Sequence, residues 1–167
     1  MYSVTKLVTF CYGHRLLNYS GKCRYLHGHN GRLEIELSSE RLDPRGMVRD
    51  FEEIKRTIQQ WIDMTLDHAM LLRKDDPLVG VLRKQKQRLF LMGDNPTAET
   101  IARIIFTHIQ NLGFPVTSVR LWETDSSFAT YRNSSPRTKT SRLRRLPFSG
   151  LERSPRRRIR SVATPVS

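Results

Sequence analysis

The chain has 167 residues, with 29 lysines and arginines, 16 acidic residues and a formal net charge of +13. This length suits one domain, or one domain with an appendage, and excludes a large multidomain enzyme. No run approaches the ~18 apolar residues that a membrane-spanning helix needs.

The positive charge is concentrated near the C-terminus. Residues 133–167 carry ten basic residues and one acid, whereas residues 1–132 carry 19 basic and 15 acidic residues. The local charges are therefore +9 (10 − 1) and +4 (19 − 15). We predict a globular domain over residues 1–132 and a basic, disordered tail over residues 133–167, which is rich in Arg, Ser and Pro. Such a tail could attract nucleic acid through its phosphates, although Phe148 is its only aromatic residue for base stacking.

Targeting and redox signals point to a cytoplasmic protein. The segment from Met1 to Leu7 lacks a basic region followed by an apolar one, so we expect no signal peptide. Two cysteines, Cys11 and Cys23, do not make a disulfide framework. A reducing, soluble setting is therefore expected.

The first half of the domain predicts two strands and a helix. Residues 3–14 are rich in Val, Thr, Phe and Tyr, and residues 27–37 alternate between apolar and charged side chains. Asp50 can cap a helix, with Glu53 three residues later as in a capping box. Its apolar stripe comprises Phe51, Ile54, Ile58, Trp61 and Ile62.

The second half predicts one more long helix and two strands. Residues 73–95 are a charged connection with a short helix around residues 78–86. A helix capped by Asn95 follows and ends at Gly113. Strands are predicted over residues 116–123 and up to Tyr131. The order β-β-α-α-β-β indicates an α+β domain, in which two helices cover one face of an antiparallel sheet.

Three histidines form the first candidate site. His27 and His29 lie two apart on a strand and therefore point to the same face, and His14 at the end of the preceding strand can meet them. Three imidazoles around a Zn²⁺ ion with an open fourth position are typical of a catalytic metal site. Histidines exposed on loops are the alternative.

Cys23 lies four residues before His27. It could be a fourth metal ligand, which would close the site, or a nucleophile or acid/base whose thiolate is stabilised near the cation. An inert small residue is the remaining interpretation, which we adopt for Cys11.

The remaining candidate site residues are the Asp67–His68 pair and Glu123. Asp67 and His68 are adjacent after the first helix and could orient a thiol if their loop folds towards Cys23, or they could cap the helix end. Glu123 lies on the apolar side of its strand, where a carboxylate is costly unless paired. It could accept two parallel N–H donors from a ligand, or pair with a buried arginine.

Taken together, these motifs resemble a known family. The chain is similar to the 6-pyruvoyltetrahydropterin synthase / 6-carboxytetrahydropterin synthase family over about residues 3–132. The resemblance rests on His14, Cys23-x-x-x-His27-Gly28-His29-Asn30, Asp50-Phe51, Leu66-Asp67-His68, Asn95-Pro96-Thr97-Ala98-Glu99 and Glu123-Thr124. It implies the tunnelling fold (T-fold), in which subunits join their sheets into a barrel with active sites between subunits. A hexamer is the family's expected assembly.

The resemblance also implies a role for each residue. His14, His27 and His29 would bind one zinc ion per subunit, Cys23 would be the catalytic acid/base, and Asp67 and His68 would be its partners. Glu123 would bind the pterin, and Thr97 and Glu99 would lie near the substrate. Gly31 departs from the family, in which an aromatic residue is common at this position.

The implied reaction acts on 7,8-dihydroneopterin triphosphate. Three residues separate Cys23 from His27, as in the bacterial carboxytetrahydropterin synthases, so we favour the lyase that forms 6-carboxytetrahydropterin, acetaldehyde and triphosphate on the route to queuosine. The alternative within the family is 6-pyruvoyltetrahydropterin synthase, which eliminates triphosphate. The alternative from another class is a nucleic-acid-binding protein that acts through its tail.

Overall fold

One twisted sheet organises the chain. The structure, a computed structural model, describes residues 1–132. Within them six strands pair in the order β4-β3-β1-β2-β5-β6. The strands are β1 Tyr2–His14, β2 His27–Ser39, β3 Ala69–Arg73, β4 Leu89–Met92, β5 Val116–Thr124 and β6 Ser127–Arg132.

Three helical segments accompany the sheet in this part of the chain. The first, α1, consists of α-helical turns at Phe51–Ile54 and Gln60–Thr65, joined by a π-helical turn at Lys55–Gln59. The others are α2 Leu78–Lys84 and α3 Ala98–Asn111. None of them is both long enough and apolar enough to cross a membrane.

The predicted α+β class is confirmed, but the sheet is mixed and larger than predicted. Strands β3 and β4 lie inside or next to the predicted connection and pair in parallel, β3 with β1 and β4 with β3. Leu71 and Leu72 in β3 are both fully buried, so no alternation marks the strand. Such short, continuously apolar strands are stabilised by their neighbours in the sheet and are hard to recognise alone. The α2 helix, by contrast, lies where a short helix was predicted.

The core lies between one face of the sheet and the helices. Val8, Phe10 and Tyr12 of β1 are each 3% exposed, whereas the intervening Thr9 and Cys11 are exposed. Alternation along β1 therefore separates a helix-covered face from an open one. The side chains of His14, at the end of β1, and of His27 and His29, at the start of β2, lie on the covered face.

Side-chain caps begin the two longer helices. Asp50 accepts a hydrogen bond from Glu52 N–H at 2.8 Å, as predicted for α1. Helix α3 begins later than predicted, because Thr97 and Thr100 form its capping box. Asn95 lies outside the helix, where its Nδ2 donates to the Leu17 carbonyl and its Oδ1 accepts from Leu17 N–H.

A buried ion pair fixes the chain next to the end of β1. Arg15 Nε donates to Asp76 Oδ2 at 2.8 Å, and the Asp76 side chain is fully inaccessible to solvent. Asp76 also accepts a hydrogen bond from Leu78 N–H at 2.8 Å and so joins the start of α2 to β1. Burial raises the pKa of Asp76, but Arg15 and the Leu78 N–H lower it by more, so the carboxyl titrates below its usual range.

We expect Asp76→Ala to lower the free energy of unfolding by about 2–3 kcal/mol, because it leaves a partly buried guanidinium unpaired. The loss should be complete above roughly pH 5 and should shrink as the pH falls through the depressed pKa, where the wild-type carboxyl is protonated. Urea denaturation at several pH values measures this. Asp75→Ala is the matched control: its carboxylate pairs with Arg73 in solvent, so a loss of equal size there would contradict the interpretation.

Candidate active site

The pairing of β1 with β2 brings the three histidines together. His14 lies opposite His27 in the register, and Tyr12 lies opposite His29. The Nε2 atom of His14 is 3.0 Å from that of His27 and 3.1 Å from that of His29. All three ligand atoms lie within 4.8 Å of one another, as a group that could hold a metal ion.

Each imidazole is oriented through its other ring nitrogen. His14 Nδ1 contacts the Pro96 carbonyl oxygen at 2.7 Å, His27 Nδ1 that of Tyr25 at 2.8 Å, and His29 Nδ1 that of Glu123 at 3.1 Å. A carbonyl oxygen only accepts, so each Nδ1 must carry the proton and donate it. In a neutral ring this leaves the Nε2 lone pair free.

The free lone pairs fit a cation. Unprotonated nitrogens about 3 Å apart, as His14 Nε2 is from those of His27 and His29, repel unless a positive charge lies among them. A tetrahedral ion with nitrogen ligands at about 2.0–2.1 Å separates those ligands by roughly 3.3 Å, close to the two spacings at His14. Burial lowers the pKa of His14, although the Pro96 hydrogen bond and the Glu123 carboxylate act against it. A neutral imidazole is the form that binds metal.

Glu123 lies beside this cluster. Its Oε1 atom is 4.0 Å from His14 Nε2 and accepts a hydrogen bond from the Tyr12 hydroxyl at 2.9 Å. The predicted need for a partner is thus met by a phenol rather than by a buried arginine. Burial, and then the Glu123 carboxylate, raise the pKa of Tyr12, so its hydroxyl stays protonated and donates.

Two open cavities adjoin the histidines. One, of about 510 Å³, is lined by His29, Asn30, Arg32, Trp122 and Glu123, together with Gly28, Thr124 and Asp125. The other, of about 610 Å³, contains both polar and apolar lining residues, among them Cys11, His27, His29, Asn30, His68 and Arg88. Both volumes suit a small-molecule ligand.

Asp67 and His68 form a pair at the second cavity. His68 Nδ1 lies 2.6 Å from Asp67 Oδ2, and Asp67 Oδ1 accepts a hydrogen bond from Cys11 N–H at 2.8 Å. Burial raises the pKa of Asp67, but these two hydrogen bonds lower it by more, so that it lies below its usual value.

A sharp turn of the backbone at His68 places the Asp67–His68 pair at the larger cavity. His68 has a φ of +53°, a left-handed conformation that is uncommon for a non-glycine residue, and its N–H donates to the Cys11 carbonyl at 2.7 Å. The turn directs the chain from α1 into β3 alongside β1. The His68 ring remains 72% exposed at the cavity.

Cys23 is not brought to this pair within one chain. It lies half-buried in a 3₁₀ turn, Lys22–Arg24, where its carbonyl accepts a hydrogen bond from Leu16 N–H. In the described part of the chain, no hydrogen bond joins its thiol to Asp67 or His68. It is also absent from the lining of the larger cavity.

Thr97 and Glu99 have different surroundings. Thr97 caps α3, and Glu99 is exposed in its first turn. The preceding residue, Pro96, holds His14 through its carbonyl oxygen. The sequence did not reveal the contributions of Pro96, Tyr25 and Tyr12, because two of them act through backbone carbonyls and the third is a core aromatic by pattern.

The fold and the site define a class of protein: an α+β domain whose strand ends carry three clustered histidines, which could hold a metal ion, beside a carboxylate. A family model described as 6-pyruvoyl tetrahydropterin synthase matches residues 3–134. The chain belongs to this family, as the resemblance predicted.

Named relatives are similar over nearly their whole length. The 6-carboxy-5,6,7,8-tetrahydropterin synthase of Rickettsia conorii is 38% identical over 139 residues, which cover 77% of this chain and 98% of the relative. The Haemophilus influenzae protein of the same name is 31% identical over 140 residues, covering 79% and 99%.

Solved structures have the same fold. An uncharacterized protein from Wolinella succinogenes has a TM-score of 0.66 at 29% identity and covers 79% of this chain and 98% of its own. The Caenorhabditis elegans 6-pyruvoyl tetrahydropterin synthase has a TM-score of 0.59 at 25% identity, with coverage of 80% and 96%. The tunnelling fold implied by the motifs is therefore confirmed.

We expect His27→Ala to weaken zinc binding by at least about a hundredfold, because loss of a ligand costs more than loss of its supporting hydrogen bond. Competition with a chromogenic chelator measures the affinity. His108→Ala is the control, since His108 stacks on Trp61 with ring centroids 3.8 Å apart and is not one of the three clustered histidines. Equal zinc affinity in both variants would contradict the metal site.

Proposed function

We propose that this chain is a zinc-dependent 6-carboxy-5,6,7,8-tetrahydropterin synthase that converts 7,8-dihydroneopterin triphosphate to 6-carboxytetrahydropterin, acetaldehyde and triphosphate. The observation that carries the proposal is the cluster of three Nε2 atoms within 4.8 Å, with the Glu123 carboxylate 4.0 Å from one of them. The names of the relatives from Rickettsia and Haemophilus support the carboxy product.

In this proposal Glu123 binds the pterin. The 2-amino-pyrimidinone edge of a pterin presents two N–H donors, and one carboxylate can accept both in a planar, charge-assisted pair. Glu123 lines the 510 Å³ cavity together with His29. A pterin bound there would place its C6 side chain towards the histidines. Thr97 and Glu99 would support the site from the start of α3.

His14, His27 and His29 would hold the zinc ion. The ion would act as a Lewis acid on the side-chain hydroxyls of the substrate and lower their proton affinity. The backbone carbonyls hold the Nδ1 protons, which would leave the Nε2 atoms of the neutral rings to bind the ion. Zinc rather than another divalent ion rests on the family, since imidazole binds several metals.

Cys23 would be the acid/base that transfers protons to and from the substrate. The Asp67–His68 pair would adjust the proton affinity of its thiol. One chain does not join these groups, so we propose that Asp67 and His68 of one subunit serve Cys23 of a neighbour. The family's active sites between subunits imply this arrangement. His68, with its exposed ring at an open cavity, is accessible to a neighbouring chain.

Product analysis tests the reaction. With 7,8-dihydroneopterin triphosphate and Zn²⁺, we expect 6-carboxytetrahydropterin and one acetaldehyde per triphosphate, because the lyase cleaves the side chain. Acetaldehyde is measured by coupled reduction, and pterins are separated by chromatography. Triphosphate without acetaldehyde would instead support the alternative, 6-pyruvoyltetrahydropterin synthase.

The nucleic-acid alternative rests on residues 133–167, which lie outside the described residues. We propose that the reaction needs only residues 1–132, consistent with the family match to residues 3–134. If no product forms and the chain binds RNA with strong salt dependence, the nucleic-acid function replaces the enzymatic one.

Mixed oligomers test the shared site. We expect Cys23→Ala and His68→Ala each to retain zinc and lose turnover when purified alone. Co-expressed with two tags and purified as mixed oligomers, they should recover about a quarter of the wild-type activity, since random assembly restores one site in four. Activity in the mixed oligomers no higher than that of the single variants would contradict a site shared between subunits. Zinc loss in Cys23→Ala would make Cys23 a ligand.

A further inference from the structure

We propose that Tyr12 is a positioning residue that fixes the Glu123 carboxylate for ligand binding and keeps it apart from the histidine cluster. The inference rests on the proposed role of Glu123 in binding the pterin. It comes from three observations: the hydrogen bond between the two side chains, the path of the tyrosine ring over Gly31, and the short distance from Glu123 to His14.

The hydrogen bond restrains one carboxylate oxygen and leaves the other available. Tyr12 is 3% exposed, and its hydroxyl donates to Glu123 Oε1 at 2.9 Å. Within residues 1–132 no hydrogen bond reaches Oε2. The Glu123 side chain keeps 25% of its exposure and lines the 510 Å³ cavity. A ligand can therefore meet a carboxylate that is already oriented, which reduces the entropy lost on binding.

Gly31 makes this hydrogen bond possible. Tyr12 is on β1 and Glu123 on β5, and β2 lies between them, so the two backbones are roughly 9–10 Å apart. The tyrosine ring must pass over β2 to reach the carboxylate. A Cβ atom on Gly31 would lie 3.0 Å from Tyr12 Cε1 and 3.1 Å from Leu121 Cδ1, so any side chain there would push against the ring.

The ring is held in this path by its neighbours. It stacks on Phe10 with centroids 5.1 Å apart, and His14 meets it edge-on at 5.3 Å. Such contacts restrict the ring to one orientation. The hydroxyl is thus presented at a fixed point beside the histidines.

The position of Glu123 explains why a restraint matters. Its Oε1 atom is only 4.0 Å from His14 Nε2, the nitrogen whose lone pair faces the other two imidazoles. An unrestrained carboxylate at this distance could become a fourth metal ligand and close the site. The hydrogen bond from Tyr12 holds it on the cavity side, where it remains free for the ligand.

Tyr12→Phe tests the proposal, because it keeps the ring and removes the hydroxyl. The experiment uses the zinc-loaded full chain and has three readouts. Fluorescence quenching gives the neopterin affinity, steady-state kinetics give kcat and KM, and chelator competition gives the zinc affinity. Neopterin Kd and KM should rise roughly tenfold, as for loss of a hydrogen bond to a charged group. Zinc affinity should stay the same or increase, since Glu123 is released towards the cluster.

The control is Tyr131→Phe, which removes a phenol that packs against Phe106 in the same domain. It should leave neopterin and zinc affinity unchanged. An unchanged neopterin Kd in Tyr12→Phe would overturn the proposal. So would a parallel loss of zinc affinity and melting temperature, because that result would give Tyr12 a structural role only.

Gly31→Ala reaches the same hydrogen bond without changing the tyrosine. We expect a smaller rise in neopterin Kd, because the ring moves by a few tenths of an ångström, and no further rise when it is added to Tyr12→Phe. Gly80→Ala, where an added Cβ meets nothing within 4 Å, is the control. Additive effects of Gly31→Ala and Tyr12→Phe on the Kd would contradict the proposed path of the ring.

A double-mutant cycle with Glu123→Ala separates this inference from the proposed function. Tyr12→Phe should have no effect on neopterin Kd once Glu123 is absent, because it acts through that carboxylate. If Glu123→Ala alone leaves the Kd unchanged, the pterin-binding role of Glu123 fails. If Glu123→Ala weakens binding and Tyr12→Phe does not, only the positioning role fails.

Discussion

Three hydrogen bonds from histidine Nδ1 atoms to backbone carbonyls are the constraint on which the rest of the site depends. Their acceptors are Pro96, Tyr25 and Glu123, which belong to the approach to α3, the loop before β2 and the end of β5. Each bond sets a tautomer and turns an Nε2 lone pair inward. The arrangement of the three histidines, which could hold a metal ion, therefore exists only when the sheet and the start of α3 have assembled.

Strand alternation sets the surroundings of the histidine cluster. On the covered face, His14, His29 and Glu123 converge beside Tyr12, where burial keeps the imidazole and the phenol neutral. Asp67 contacts the backbone of Cys11 at the edge of β1, beside the larger cavity. A single chain thus brings the three histidines and Glu123 together, and it holds Asp67 and His68 at a cavity that His27 and His29 also line.

Much of this could be predicted because it depends on local patterns. The strand over β2 was predicted from its period of two, and the same period placed His27 and His29 on one face. Strands β3 and β4 were not predicted, because they are short and depend on their neighbours in the sheet, β3 on β1 and β4 on β3. Asn95 was assigned as a helix cap, but its amide binds the backbone of Leu17, a contact between residues 78 positions apart in the chain.

The sequence by itself determined the family, the fold class and the choice of the three histidines as candidate metal ligands. Motif spacing and periodicity are local properties of the sequence, so they can be recognised without the structure. Only the tertiary structure decided how these groups are held. The Pro96 carbonyl orients His14 from 82 positions away, and the Tyr12 hydroxyl meets Glu123 from 111 positions away. Such contacts arise from strand order and from the missing side chain of Gly31, whose place the Tyr12 ring takes. No local pattern encodes them, since they depend on which strands become neighbours when the sheet forms.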